Sequence, residues 1–350
     1  MKLDEILHKP DLSKEDVIYL LELTDFRNTR KLYDRAYEIR KHYCGDEIHL
    51  RGIIDFSNYC ESDCLYCGLR QSNNVIERYR MTPDEVIETA KTISNSGIRS
   101  IILQSGEDSS YDMDKIAYII YFIKQNSGLA IALSLGERDY EEYKTWKYAG
   151  ADCYLLKHET ANPELYSSLH QKQKIKDRIE HLKFLKSIGY ETGSGNLIGL
   201  PGQTIEDIAD DLFLCKELNI DYASFSPFVP SPNTPFRNKS VGSVELTLKT
   251  IAVARILLKN ARIPATTAIA TIDLLGREKA LRVGANVVMP DFTPKLYRDK
   301  YCSYPNKKLF VDDPVNSSSY IQHIMNSLGR GVSGTRGDSL KDDYNLSQFI

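Results

Sequence analysis

What the sequence lacks narrows it first. It has no surplus of positive charge: 45 Lys+Arg stand against 48 Asp+Glu, a formal net charge of −3 with a pI near 6.2. A protein that grips a polyanion does so by neutralising phosphates, so nucleic acid is not an expected partner. Long apolar runs are missing too. Nowhere do about 18 uncharged apolar residues follow one another, the length a membrane span needs, and the first residues, MKLDEILHKPDLSKED, break every apolar run with charge. No membrane segment and no secretory leader are expected, and the reading is cytoplasmic. A paired cysteine framework is also absent. The seven cysteines, Cys44, Cys60, Cys64, Cys67, Cys153, Cys215 and Cys302, are odd in number and irregular in spacing, which excludes a disulfide scaffold. At 42% hydrophobic and 27% charged over 350 residues, disorder is excluded as the dominant state.

What is present is an alternation of short β-branched runs with longer amphipathic segments. The first 45 residues read as helical, with Ser13 and Asp16 forming a capping-box start and a second helix ending before Gly45. From His49 onward eight candidate strands follow, at 50–56, 100–104, 130–135, 153–157, 195–199, 222–228, 265–270 and 285–289. Thr82-Pro83-Asp84-Glu85 is a helix start, and Gly97, Gly150 and Gly189 each stand just past a helical pattern. Eight βα units suggest a (β/α)8 TIM-type barrel of the α/β class with an N-terminal helical extension, although a doubly wound open sheet alternates the same way. The expected division is 1–48 for the extension, 49–305 for the barrel and 306–350 for a C-terminal helix and tail, with the polar stretch from Arg330 onward a loose end.

Directly after the first strand comes Cys60-Glu-Ser-Asp-Cys64-Leu-Tyr-Cys67, a C-x3-C-x2-C run. Thiolates so spaced in a loop can converge on one face of an iron–sulfur cube, leaving one iron open to chelation by a small molecule. A structural zinc site is the competing reading, but it normally takes four protein ligands, and the fourth would have to be a remote His42, His49 or His158.

This run, with Tyr66 just before its third cysteine, resembles the radical S-adenosylmethionine (SAM) superfamily. Further strings narrow the likeness: Arg78-Tyr-Arg-Met-Thr-Pro83, Leu103-Gln-Ser-Gly-Glu-Asp108, Ser134-Leu-Gly-Glu137, His158-Glu-Thr-Ala-Asn-Pro163, Gly199-Leu-Pro-Gly-Gln-Thr204, Ile263-Pro-Ala-Thr-Thr-Ala268 and Gly284-Ala-Asn-Val-Val-Met-Pro290. The ordered set resembles the HydE family of [FeFe]-hydrogenase maturases, related to methylornithine synthase (PylB) and biotin synthase. The resemblance implies a 4Fe-4S cluster held by Cys60, Cys64 and Cys67 and a bound SAM, cleaved to methionine and a 5′-deoxyadenosyl radical. It implies an external one-electron reductant, a small iron-containing or cysteine-derived substrate, and other hydrogenase maturases as partners. Two alternatives stay open: an amino-acid mutase like methylornithine synthase, and a non-catalytic iron–sulfur carrier. With Cys302 alone in the C-terminal region, neither a second cluster nor sulfur donation from one is expected.

The same resemblance assigns SAM contacts to Tyr66, Gly106, Glu107, Ser134, Glu159, Arg178 and Ile198. A guanidinium can pair bidentately with the methionyl carboxylate, whereas an isolated arginine reads by default as a surface ion pair. Gly106-Glu107-Asp108 is equally an ordinary polar turn, and Ser134 a capping serine. Substrate contacts are expected from Gln104, Lys157, Thr266, Thr267, Met289, Tyr301 and Tyr304, although Thr-Thr is also simple β-propensity. Lys157 stands where the family pattern carries Arg, a point cation in place of a fork.

Overall fold

The computed structural model describes residues 2–171, 173–305, 307 and 323–341. Three helices come first, Lys2–Leu7, Lys14–Leu21 and Phe26–Cys44. Ser13 caps the second with a reciprocal box, its side chain accepting from Asp16 N–H while the Asp16 carboxylate accepts from Ser13 N–H. The buried faces of these helices pack on Val244–Leu258, a helix apolar nearly all round. Such a helix has to be covered on every side, and the extension supplies the cover the barrel lacks.

The strands are β1 (His49–Leu50), β2 (Gly52–Ser57), β3 (Ser100–Ser105), β4 (Ala130–Ser134), β5 (Cys153–Leu155), β6 (Glu191–Ser194), β7 (Leu197–Ile198), β8 (Tyr222–Ala223), β9 (Ser226–Pro227) and β10 (Val287–Val288). A six-stranded parallel sheet runs β2-β3-β4-β5-β6-β8, and a parallel pair joins β1 to β10. Residues 262–264 link the two: Ala223 N–H donates to Arg262 O, Arg262 N–H to Asp221 O, and Asn286 N–H to Ile263 O. On the other side Arg51 N–H donates to Val288 O and Phe292 N–H to Ile53 O, so the ring closes with eight staves. Closure decides between the barrel and the open sheet. Among the described residues no helix is long and apolar enough to cross a membrane.

Two expected strands shift. The run 265–270 is no strand; the stave is the extended 262–264, and Thr267–Ile272 is helical with Thr266 in the extended N-cap conformation. Two β-branched threonines suggested a strand, but Thr266 is the last extended residue before the helix, which Ala268 and Ala270 favour. The fifth stave is β6, four residues earlier than 195–199. It turns at Gly195, where φ is +147° and an added Cβ would lie 1.9 Å from Ser224 O, and resumes as β7 paired with β9.

The segment expected as a loose end is fixed over 330–341. Buried Arg330 donates to Asp46 O, Leu281 O and Glu47 O, Val332 bridges Ile48, and Ser339 N–H and Oγ–H donate to Glu191 and Asp221. The strap closes the N-terminal end of the barrel. Of the terminal region 306–350, residues 323–328 are helical, and 306, 308–322 and 342–350 lie outside the described residues.

Burial at this base pushes the Glu191 carboxyl up to about 7, against the pull of Arg51. A carboxyl raised in the folded state favours folding fully below its unfolded value near 4.5, and that contribution is lost as pH rises through about 7. Glu191→Gln is therefore expected to gain stability relative to wild type between pH 5 and 8, by about 2 kcal/mol after allowing for partial exposure. Urea unfolding at both pH values checks this, and an equal difference at both would refute it.

Candidate active site

The site lies at the C-terminal mouth of the barrel. β2 delivers the cysteine loop, whose inner face is set by close approach: a Cβ added at Gly106, just past β3, would lie 2.2 Å from Tyr59 O and 2.6 Å from Cys60 Cβ. Gly106 is thus placed to let the second stave touch the loop. Asp108, buried, clamps the loop's origin, accepting from Ser57 Oγ–H at 2.6 Å and from Arg80 Nε and Nη2 at 2.7 and 2.9 Å. These bonds hold its carboxyl below the usual range despite burial. Asp63 repeats the device, taking Arg70 Nε at 2.8 Å and the Ser72 amide at 3.1 Å.

Burial is the main reason the three thiols are held high, Cys67 at about 12, with Cys64 pushed up further by its two neighbours and Cys60 by Glu107. As thiolates they would repel one another in a buried loop, so ligation there needs the positive charge that iron would supply. Among the described residues no three His, Cys, Asp or Glu side chains gather around one metal ion. A structural zinc site normally takes four protein ligands, whereas a cube with one open iron takes three thiolates, the number this loop carries. The donor set fits an iron–sulfur cluster.

Beside the loop opens a cavity of about 350 Å³. Its walls include Tyr66, Cys67, Gln104, Ser134, Lys157, Glu159, Arg178, Thr266, Thr267, Met289 and Tyr304. Of the other expected contacts, Ile198 is buried behind Leu197, which does line the cavity. Tyr301 sits behind Gln104, whose Nε2 donates to its hydroxyl at 3.3 Å. Gly106 and Glu107 lie off this cavity at the adjoining acidic cleft and loop.

Arg178 is 6% exposed, which removes the surface-pair reading. Its Nε donates to Glu137 Oε1 at 2.5 Å, Nη1 to Lys157 O at 2.9 Å and Nη2 to Gln173 Oε1 at 3.2 Å, with Glu107 Oε1 at 3.8 Å. Glu107 also accepts from Ser62 Oγ–H on the cysteine loop. Two carboxylates around one guanidinium give this wall a negative balance. Glu159 takes φ +62°, a left-handed conformation a glutamate rarely adopts. It is held there by its neighbours: buried Asp211 accepts from Ala161 N–H and Asn196 Nδ2–H and stands 3.4 Å from His158 Nε2. The strained turn brings Glu159 Oε2 to the cavity, 3.1 Å from Lys157 Nζ in an ion pair without hydrogen-bond geometry.

Sequence reading did not single out His170 or the Asp55–Lys307 pair. His170 Nδ1 lies 3.2 Å from Cys64 Sγ and Nε2 3.4 Å from Tyr66 Oη, and burial pushes its pKa down to about 3, so it is a neutral ring between them. Lys307 Nζ donates to buried Asp55 Oδ2 at 2.5 Å, 4.1 Å from the Tyr301 ring centre. Thr266 Oγ1 is buried with no partner, and Thr267 Oγ1 accepts from Arg277 Nη2 at 2.8 Å. An unpaired hydroxyl at a cavity wall is a bond held open for a ligand.

A closed parallel barrel with a three-cysteine loop at its mouth defines a class, and the Radical SAM superfamily model matches residues 54–215. The [FeFe] hydrogenase maturase subunit HydE of Thermotoga maritima is 46% identical over 326 residues, 93% of each chain. The 3-methylornithine synthase of Methanosarcina acetivorans is 32% identical over 81% of each chain. The crystal structure of methylornithine synthase (PylB) superposes with a TM-score of 0.78 at 27% identity, over 95% of this chain and 97% of that one. The chain belongs to the radical SAM superfamily and, within it, to the HydE family. It is a radical SAM enzyme whose cofactors are a 4Fe-4S cluster and SAM.

Proposed function

We propose that the chain acts in assembly of the [FeFe]-hydrogenase di-iron subcluster, on a small iron-containing or cysteine-derived substrate. The observation that carries this reading over mutase chemistry is identity of 46% to a HydE maturase across 93% of both chains, against 32% to a methylornithine synthase. A 4Fe-4S cluster held by the cysteine loop and SAM in the adjoining cavity would together supply one-electron radical chemistry. An external reductant provides the electron, and other maturases exchange substrate or product.

The chain's own residues bind and shield. Cys60, Cys64 and Cys67 would ligate the cluster. Glu159 would offer a carboxylate to the positive groups of SAM, with Glu107 and Glu137 adding negative charge from the adjoining cleft, Arg178 would offer a guanidinium to its carboxylate and Ser134 a hydroxyl, and Tyr66 and the backbone at Leu197–Ile198 would border the adenine. The closed barrel below excludes water from a primary carbon radical. Gln104, Lys157, Thr266, Thr267, Met289 and Tyr304 would line the substrate, with Tyr301 behind them.

Purified protein reconstituted with iron, sulfide and SAM under reducing anaerobic conditions tests the proposal. Deoxyadenosine formation together with activation of apo-hydrogenase alongside the other maturases is the expected result. Methylornithine from lysine would favour the mutase, and absence of deoxyadenosine the carrier.

For the cofactor wall, Arg178→Ala is expected to weaken SAM binding by roughly 10²-fold and Arg178→Lys by less, since lysine keeps the charge and loses the fork. Equilibrium dialysis decides, and wild-type affinity in both variants would remove Arg178 from the site.

A further inference from the structure

We propose that the closed base of the barrel holds one small inorganic anion, the size of chloride, among Arg51, Arg262, His49 and Asn286 beneath the Gly337–Asp338 turn. This site is at the opposite end of the barrel from the radical chemistry and does not depend on it.

The four side chains come from three adjacent staves. His49 and Arg51 are two apart on one strand and share a face; His49 N–H donates to Asn286 O, and Ile263 N–H donates to Asn286 Oδ1. All four are nine-tenths or more buried, at 6%, 3%, 4% and 0% exposure for His49, Arg51, Arg262 and Asn286. Arg51, Arg262 and His49 meet the same turn of the strap, and Asn286 flanks them, its Oδ1 already accepting from Ile263 N–H and Arg255 Nη2. Arg51 Nη2 donates to Gly337 O at 2.9 Å and Arg262 Nη2 to Asp338 O at 3.1 Å, while a Cβ on Gly337 would come 3.0 Å from His49 Nδ1.

Each keeps a polar atom unspent, and burial beside the two guanidinium groups holds the His49 ring neutral, so its Nδ1 meets an anion as the N–H tautomer. Arg51 Nε, Arg262 Nε and Nη1, His49 Nδ1 and Asn286 Nδ2 are buried without a hydrogen-bond partner. Neither guanidinium forms an ion pair with a carboxylate among the described residues. The nearby acids are occupied: Glu191 accepts from Ser339 N–H, Asp221 from Thr192 N–H and Ser339 Oγ–H, and Asp152 from Arg336, Lys124 and Ile131 N–H. Cys153, beside Arg51, is no substitute, because burial holds its thiol at about 12 and so neutral. Asp338 pairs with Arg336 at 3.2 Å, and Arg51 lies over the Tyr222 ring at 5.0 Å, which softens its burial without cancelling its charge. Two buried cations without a contacting carboxylate are strongly unfavourable.

Water answers this poorly. It would have to place its own two hydrogens where the free groups are donors, whereas a halide only accepts and also cancels charge. The tightness around Gly337 favours a monatomic ion over a tetrahedral oxyanion. Bound there, the anion would pin the strap to the barrel.

The test uses the full chain with its cluster reconstituted. In crystals grown with sodium bromide, an anomalous peak is expected within contact of Arg51 and Arg262. In solution, replacing gluconate by chloride at constant ionic strength should raise the melting temperature saturably by a few degrees, and Arg262→Met should abolish the saturable part. The bromide map of the wild type stands whether or not that variant folds. A map with water at this place, or equal melting in gluconate and chloride, would overturn the proposal.

Discussion

Cys64→Ser is expected to lower cluster iron to background and deoxyadenosine formation below detection, while the protein stays folded. The two effects separate because the Cys64 thiol has little structural work: its polar contact is His170 Nδ1 at 3.2 Å, which a hydroxyl can also meet. Folding stability should therefore change by no more than about 1 kcal/mol. A hydroxyl is a far poorer iron ligand than a thiolate, and two remaining sulfurs cannot hold a cube. Cys153→Ser and Cys302→Ser serve as controls. Cys153 is buried in the barrel interior, and Cys302 Sγ–H donates to Asp299 O at 3.4 Å, so iron content should stay at wild type in both. Iron analysis, the visible charge-transfer band and chromatography of deoxyadenosine read the outcome. Retained SAM cleavage in Cys64→Ala would sink the cluster assignment.

The Thr266→Val/Thr267→Val variant is expected to separate radical generation from productive turnover. Valine fills the same volume, so the cavity keeps its shape and loses two hydroxyls. Thr266 loses nothing internal, since its Oγ1 has no partner; Thr267 gives up one bond from Arg277. If each hydroxyl holds the substrate by about 1.5 kcal/mol, hydrogenase maturation should fall by roughly 10²-fold while deoxyadenosine forms uncoupled. Full maturation by this variant would move the substrate site elsewhere.

The cysteine loop was legible because its three cysteines stand within eight residues of one another, and the barrel because six of eight staves carry their apolar runs in place or nearly so, the fifth and seventh being displaced. What failed to read has a common cause. The seventh stave is held by backbone bonds at 262–264 with neighbours at Tyr222 and Val287, and no local pattern announces it. Two-residue strands such as β8 and β10 depend on partners the local sequence cannot reveal. His170 meets Cys64 across 106 residues and Lys307 meets Asp55 across 252; neither side chain has a motif of its own. Arg178 shows the reverse. Isolated in sequence it reads as a surface cation, and only the carboxylates of Glu137 and Glu107, contributed by other loops, make it an interior one.

The strap under the barrel fixes an order of events during synthesis. Arg51 waits for Gly337 across 286 residues and Arg330 reaches back to Asp46 across 284. The cysteine loop, by contrast, leaves the ribosome within the first fifth of the chain. The nascent barrel therefore spends most of its translation with its charged floor open to water, and its last long-range contacts form only after nearly all of the protein has emerged.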